Sequence, residues 1–267
     1  MQANLIPQFA ALVAMLPLTA AAVTARLGRN LVLWLLLAAA LAGPAALVLS
    51  EIQAGWQAGL SPNLWATIAA TLLVFAVLCL VRPGAYRLGG LLLPYLVVSA
   101  GLAIAFSGAP NAEGPPIEEG LWFPVHVVLA VASFAVLTLA AIAGAAVMLQ
   151  EHALKRRAQI GWTGQTLPPL ADAEGMQIRL LTWAAILMAA ALATGAANEV
   201  LMTGQLLAFT HKILLAFLAF ALILVLLFLH QRTGLRGRHA ARWLLVGYLL
   251  LLLAYPGVKF VRDVLIG

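Results

Sequence analysis

Eight stretches of about 20 predominantly apolar residues follow one another along this chain, and no other feature restricts its fold as tightly. They are Leu5–Ala25, Leu31–Leu49, Leu64–Val81, Leu88–Phe106, Leu121–Leu149, Ile178–Ala197, Phe209–Leu229 and Ala241–Lys259. At about 1.5 Å rise per residue, each is long enough as a helix to cross most or all of a hydrocarbon core about 30 Å thick. Inside lipid the backbone must satisfy its own hydrogen bonds, which leaves helices and closed barrels. Barrel strands alternate apolar and polar residues, and these stretches do not. The expected fold class is therefore all-α: a polytopic membrane helix bundle of about eight transmembrane helices, forming a single transmembrane domain over residues 1–267. Composition agrees, with 64% hydrophobic and 9% charged residues and a mean hydropathy of +1.04. A soluble domain carries about 25% charge. The lipid bilayer is thus the first expected partner.

Loop charge sets the expected orientation. All but three of the 15 Lys and Arg residues lie in the first, third, fifth and seventh loops: Arg26, Arg29, Arg82, Arg87, Lys155, Arg156, Arg157, Arg179, Arg232, Arg236, Arg238 and Arg242. Basic loops mark the cytoplasmic side, so both termini are expected outside. Glu51, Glu113, Glu118, Glu119 and Glu199 fall in the opposite loops. The net charge of +6 is explained by topology and does not indicate nucleic acid. No Lys or Arg precedes the first apolar run, as a signal peptide would require; Arg26 and Arg29 follow it, which fits an uncleaved first helix. The longest inner loop, Gln150–Gln177, reads as a helix that continues past the membrane and then turns at Pro168-Pro169. Small residues in the fifth and sixth spans, including Ala140, Gly144, Ala189 and Gly195, read as close helix packing in lipid.

Catalytic signatures are missing. No Gly-rich phosphate loop, paired intramembrane carboxylate or zinc-type cluster occurs. The single cysteine, Cys79, excludes an internal disulfide and a Cys-x-x-Cys haem attachment. An enzymatic role has no motif behind it. The five histidines carry most of the chemical information. His152, His230 and His239 sit at or beyond inner span ends and read as interfacial or solvated. His126 and His211 each stand near the outer start of a span, within about 10 Å of the same face. Ionisable residues in spans usually face a partner or a cavity, and a neutral imidazole is a good axial ligand for haem iron. Either histidine alone is equally well explained by a bond to a neighbouring carbonyl; the pair at one depth points to a metal site. Lys212, Lys259 and Arg262 are the basic residues on the outer side, where haem propionates would compensate them. Phe123, Phe209 and Tyr255 are possible packing partners for a porphyrin.

The stretch from Trp122-Phe-Pro-Val-His126 through Ser133 to Leu149-Gln-Glu-His-Ala-Leu-Lys155-Arg-Arg resembles the cytochrome c assembly membrane proteins of the CcsA/CcmC type. The later stretch, with His211-Lys212, His230, Gly234-Leu-Arg-Gly237-Arg and Tyr255-Pro-Gly257, is similar to their short YpjD-like or HemX-like branch. The resemblance is best from Leu121 to the end. It implies haem handling at the outer face of an energy-transducing membrane, here the bacterial inner membrane, with a family histidine at His126 and a His-Lys pair at His211 and Lys212. Members that present haem carry a Trp-rich WWD segment before the seventh span, whereas Asn198–Thr210 contains no Trp. A haem-binding accessory, a regulator and a quinone-linked redox protein therefore all stay open.

The leading expectation is a bis-His site for non-covalent, b-type haem, with His126 and His211 as metal ligands and Lys212 beside the propionates. Its role would be cytochrome c biogenesis or haem handling, alongside other cytochrome assembly or redox membrane proteins. The alternatives are a small-molecule or lipid permease, which would need broken helices and a midplane cavity, and a cofactor-free assembly subunit.

Overall fold

The computed structural model describes residues 5–54, 59–108, 122–155, 166–203, 211–234 and 237–253; the side chains of residues 202, 203, 211 and 212 lie outside that description. Eight α-helices and one short 3₁₀ turn account for nearly all of it, and no strand occurs among the described residues. The helices are α1 (Leu5–Val23), α2 (Leu31–Gln53), α3 (Leu60–Val81), α4 (Gly89–Ala105, entered directly from the 3₁₀ turn Ala85–Leu88), α5 (Trp122–Lys155), α6 (Leu170–Thr203), α7 (His211–Thr233) and α8 (Gly237–Leu252). By length and composition, seven of them can cross a membrane. The described part of α8, at 16 residues, is shorter, and the expected end of that span at Lys259 lies outside the described residues. Outward-facing side chains such as Ile6 (79% exposed), Leu31 (71%) and Val128 (67%) are apolar. That surface requires lipid around it.

Local chemistry accounts for the helix ends. Helix α1 stops because Ala25 takes the left-handed conformation (φ 57°). Arg26 N–H then donates to Ala21 O at 3.0 Å and Ala25 N–H to Ala22 O at 3.3 Å, the reciprocal pair of a Schellman motif. Asn30 opens α2 by accepting from Leu33 N–H at 3.2 Å, an N-cap. The Arg29 guanidinium donates to Leu80 O at 3.2 Å, placing a cation at the C-terminal end of α3, where the helix dipole favours one.

Helices α5 and α6 have 34 residues each, about 51 Å of helix, and form the most extensive pairing in the molecule. Both overshoot a hydrocarbon core of about 30 Å. The expected extension of the fifth span past the membrane is present, since α5 runs on to Lys155. The sixth helix starts eight residues before the expected Ile178, immediately after Pro168-Pro169. Proline is tolerated just outside or within a first turn, where no N–H partner is needed. Gln150 fastens this start to α5 by donating to Pro168 O at 3.0 Å. Glu151 of α5 accepts the Arg238 N–H at 2.8 Å, capping α8 from a neighbouring helix. Gly237 (φ 66°) leaves room for that carboxylate, which a β-carbon would strike.

Packing is arranged around α5. Helices α1–α4 pack on one another, α3 docks onto α5, and α6 and α8 cover other sides of α5. Buried residues of all eight helices join in one contiguous core. The closest approach in the first half is α1 on α2, where a β-carbon at Gly43 would stand 2.7 Å from both Ala11 Cα and Cβ. Such small-residue contacts replace the hydrophobic effect as the adhesive between helices in lipid.

Gly43→Val is expected to destabilise the protein by about 1–3 kcal/mol through overpacking, read as a lowered thermal unfolding midpoint in detergent. Gly101→Ala, with open space around the added carbon, should leave the midpoint unchanged or raised. Equal responses would mean that α1 and α2 do not cross at Gly43.

Candidate functional site

His126 is the fifth residue of the family-like stretch that opens α5, on the end of the bundle opposite the arginine-rich turns. Its ring is partly buried and rests on α6. Nδ1 lies 2.7 Å from the carbonyl oxygen of Ala191. A carbonyl can only accept, so Nδ1 carries the hydrogen, and in the neutral ring Nε2 holds the lone pair. No other hydrogen bond to this ring occurs among the described residues. Beneath the ring is Gly195, where a β-carbon would stand 2.8 Å from Cε1, 3.0 Å from Nδ1 and 3.5 Å from Nε2. Thr194 turns its hydroxyl along its own helix, to Ala190 O at 2.8 Å and Ala191 O at 3.0 Å.

The Ala191 carbonyl is one turn N-terminal to Gly195 on α6. In imidazole the two nitrogens point to nearly opposite sides of the ring. With Nδ1 on Ala191, Nε2 is the nitrogen left for a second partner. A shallow groove of about 370 Å³ is lined by Trp122, one turn before His126 on α5, and by Ala196, Ala197, Val200 and Leu201, which follow Gly195 on α6. All five lining residues are apolar or aromatic.

His211 is the first residue of α7, which agrees with a histidine at the start of a span, but its side chain and that of Lys212 lie outside the described residues. So do Phe209, Tyr255, Lys259 and Arg262. Phe123 is partly buried on α5. His230 occupies the last turn of α7, about 28 Å along the helix from His211, and so belongs to the other end of the bundle. His152 is exposed at the far end of α5, and His239 is exposed near the start of α8. Among the described residues no three His, Cys, Asp or Glu side chains group as a metal cluster. An axial-ligand site needs only imidazoles.

Sequence reasoning did not find the seat of His126. Gly195 stands in a row of small residues that reads as general packing, and a backbone carbonyl acceptor leaves no mark in a sequence. The Thr194-Gly195 step in an alanine-rich stretch was the one available signal. A second polar group was also missed. Tyr95 OH and Tyr248 OH lie 2.7 Å apart, Tyr248 OH lies 3.0 Å from Thr138 Oγ1, and Thr138 donates to Phe134 O at 2.8 Å. That last donation fixes the direction of the whole chain: Tyr95 donates to Tyr248, Tyr248 to Thr138, and Thr138 to the carbonyl. The chain links α4, α8 and α5 deep in the bundle.

Fold and site together define a multi-pass membrane protein that holds one imidazole by its Nδ1–H on a helix backbone. The chain belongs to the cytochrome c assembly protein family, whose model matches residues 29–266. It is also 44% identical over 240 residues to an uncharacterised 28.8 kDa protein of Azospirillum brasilense encoded in a nifR3-like 5′ region, covering 90% of this chain and 88% of that one. No solved structure matches it. Family membership supports a role in cytochrome c biogenesis, and the family is associated with haem handling.

Tyr248→Phe is expected to cost about 1 kcal/mol, the scale of interhelical hydrogen bonds in membranes, because Tyr95 and Thr138 each lose a partner while the ring contact with Phe134 (centroids 5.7 Å apart) is kept. In a double-mutant cycle, Tyr95→Phe should add little to Tyr248→Phe. Fully additive losses in thermal stability would contradict the bonded chain.

Proposed function

We propose that this protein binds b-type haem non-covalently at the end of the bundle where α5 starts, with His126 and His211 as axial ligands and Lys212 beside the propionates. The observation that carries the proposal is the state of His126: Nδ1 is committed to the Ala191 carbonyl, which leaves Nε2 as the nitrogen that can ligate. Histidines that ligate metal commonly donate their other N–H to a carbonyl or carboxylate, which fixes the tautomer and makes the ligand nitrogen more basic. Helix α7, which begins at His211, packs against α6, the helix that seats His126. The iron supplies redox chemistry when bound, and the chain supplies binding and orientation. In this reading both termini and the haem lie on the outer side of a bacterial inner membrane, within a single transmembrane domain. The protein serves cytochrome c biogenesis alongside other assembly or redox membrane proteins. The connection Asn198–Thr210 has no Trp, which favours an accessory that holds haem over a platform that attaches it.

A cofactor-free assembly subunit would share the Ala191 bond. It would give a colourless preparation, and a permease would need a midplane cavity. The protein purified with haem supplied is expected to show Soret and α bands of a six-coordinate haem. His126→Ala and His211→Ala should each lose most of the bound haem or become high-spin. A preparation without a Soret band, or spectra indifferent to both substitutions, would refute the assignment.

A further inference from the structure

The reading of His126 as a ligand leaves open what decides which ring nitrogen is offered and where it points. We propose that Gly195 is the positioning residue of this site: its missing side chain lets the imidazole settle onto α6, and that seat holds His126 as the Nδ1–H tautomer, with Nε2 as the nitrogen offered to a ligand. The inference rests on the haem reading for its purpose, but its geometry does not.

Three observations carry it. Any side chain at position 195 would occupy the space of the ring, since even a β-carbon would come within 2.8 Å of Cε1 and 3.0 Å of Nδ1. Real β-carbons do not approach other heavy atoms that closely, and what would be struck is a rigid aromatic ring. The ring would have to move off the helix, and the hydrogen bond to Ala191 at 2.7 Å would be the first to break.

The acceptor is also left available. A carbonyl oxygen has two lone pairs. One lone pair of Ala191 O serves the helix ladder to position 195, and His126 takes the other. Thr194, the competing donor, lies closer to Ala190 O, 2.8 Å against 3.0 Å. Ala190 is therefore its nearer acceptor, and Ala191 O is only the more distant one.

The third observation is the groove. It is lined by Trp122, one turn before His126 on α5, and by Ala196, Ala197, Val200 and Leu201, which follow Gly195 on α6, so apolar space opens close to the seat. A ring anchored through Nε2 would present Nδ1 instead, the nitrogen nearer its own backbone and the more hindered ligand. At Gly195 the atoms a β-carbon would strike belong to the His126 ring and not to a neighbouring backbone, as they do at Gly43, so the close approach here serves the imidazole.

The test compares Gly195→Ala with Gly175→Ala, a control on the same helix where the added carbon meets nothing within 4 Å. Both changes raise helix propensity, so both variants should fold. In haem-free protein labelled with ¹⁵N-histidine, at a pH where the ring is neutral, the parent and Gly175→Ala are expected to show His126 as the Nδ1–H tautomer. Gly195→Ala should lose that signature. With haem supplied, Gly195→Ala should bind roughly 10–100-fold more weakly than the parent, the usual effect of removing a partner behind a metal ligand, and its α band should shift. A parent with His126 as the Nε2–H tautomer would overturn the proposal, and so would a Gly195→Ala variant matching the parent in tautomer and in haem retention. If the tautomer responds to Gly195→Ala while the parent takes up no haem, the positioning role stands and the haem reading alone fails.

Discussion

Helix α5 has to lie against three neighbours at once, and the architecture follows from its capacity to do so. Between Ser133 and Val147 it is buried on nearly every side, through Ala135, Ala140, Ala141, Ala143, Gly144 and Ala146 among others. A helix apolar all round has no preferred outer face and suits the middle of a bundle. Lipid offers no hydrophobic gain for bringing apolar helices together, so cohesion must come from backbones that can approach closely. At Gly144 an added carbon would lie 3.5–3.6 Å from Ala241 and Leu244 of α8, ordinary van der Waals distance. The α5–α8 approach is therefore close-packed without strain. The same logic, taken one step tighter, places Gly195 under His126.

Polar groups in such a bundle have few partners, and the backbone becomes the acceptor of choice. Thr138 and His126 both end their hydrogen bonds on helix carbonyls, at Phe134 and Ala191. The carboxylate of Glu151 does the converse, accepting a backbone N–H at the start of α8. Each bond satisfies a side-chain or helix-end group that would be costly to leave without a partner once it is buried. The tyrosine chain and the histidine seat differ in one respect. In the chain each hydroxyl hydrogen is used and Tyr248 is buried, so the chain acts as a tie between helices. His126 has one nitrogen bonded to a carbonyl, and the other makes no hydrogen bond among the described residues.

The eight apolar runs made the helix count and the alternation of the bundle legible, because lipid permits almost no other backbone. Helix ends were less so. The start of α6 at Leu170 depends on Pro168-Pro169 and on Gln150 reaching across from α5, a bond between residues 18 positions apart. His126 could be singled out by its position in a span. Its orientation could not, since it is set by the carbonyl of Ala191, 65 positions away, and by the absence of a side chain at Gly195. Tyr95, Thr138 and Tyr248 were invisible for a related reason. Each is an isolated polar residue in an apolar run, and only the three-dimensional crossing of α4, α5 and α8 makes them a group.

The groove between the start of α5 and the end of α6 also restricts what could fill it. Trp122, Ala196, Ala197, Val200 and Leu201 offer no side-chain partner to a sugar, a phosphate or a peptide backbone, apart from the indole N–H of Trp122. Burying such ligands there would leave their polar groups unpaired. A broad apolar body meets no such penalty, and the four small or branched aliphatic walls suit a flat face. The walls thus admit apolar surface and reject buried polar groups.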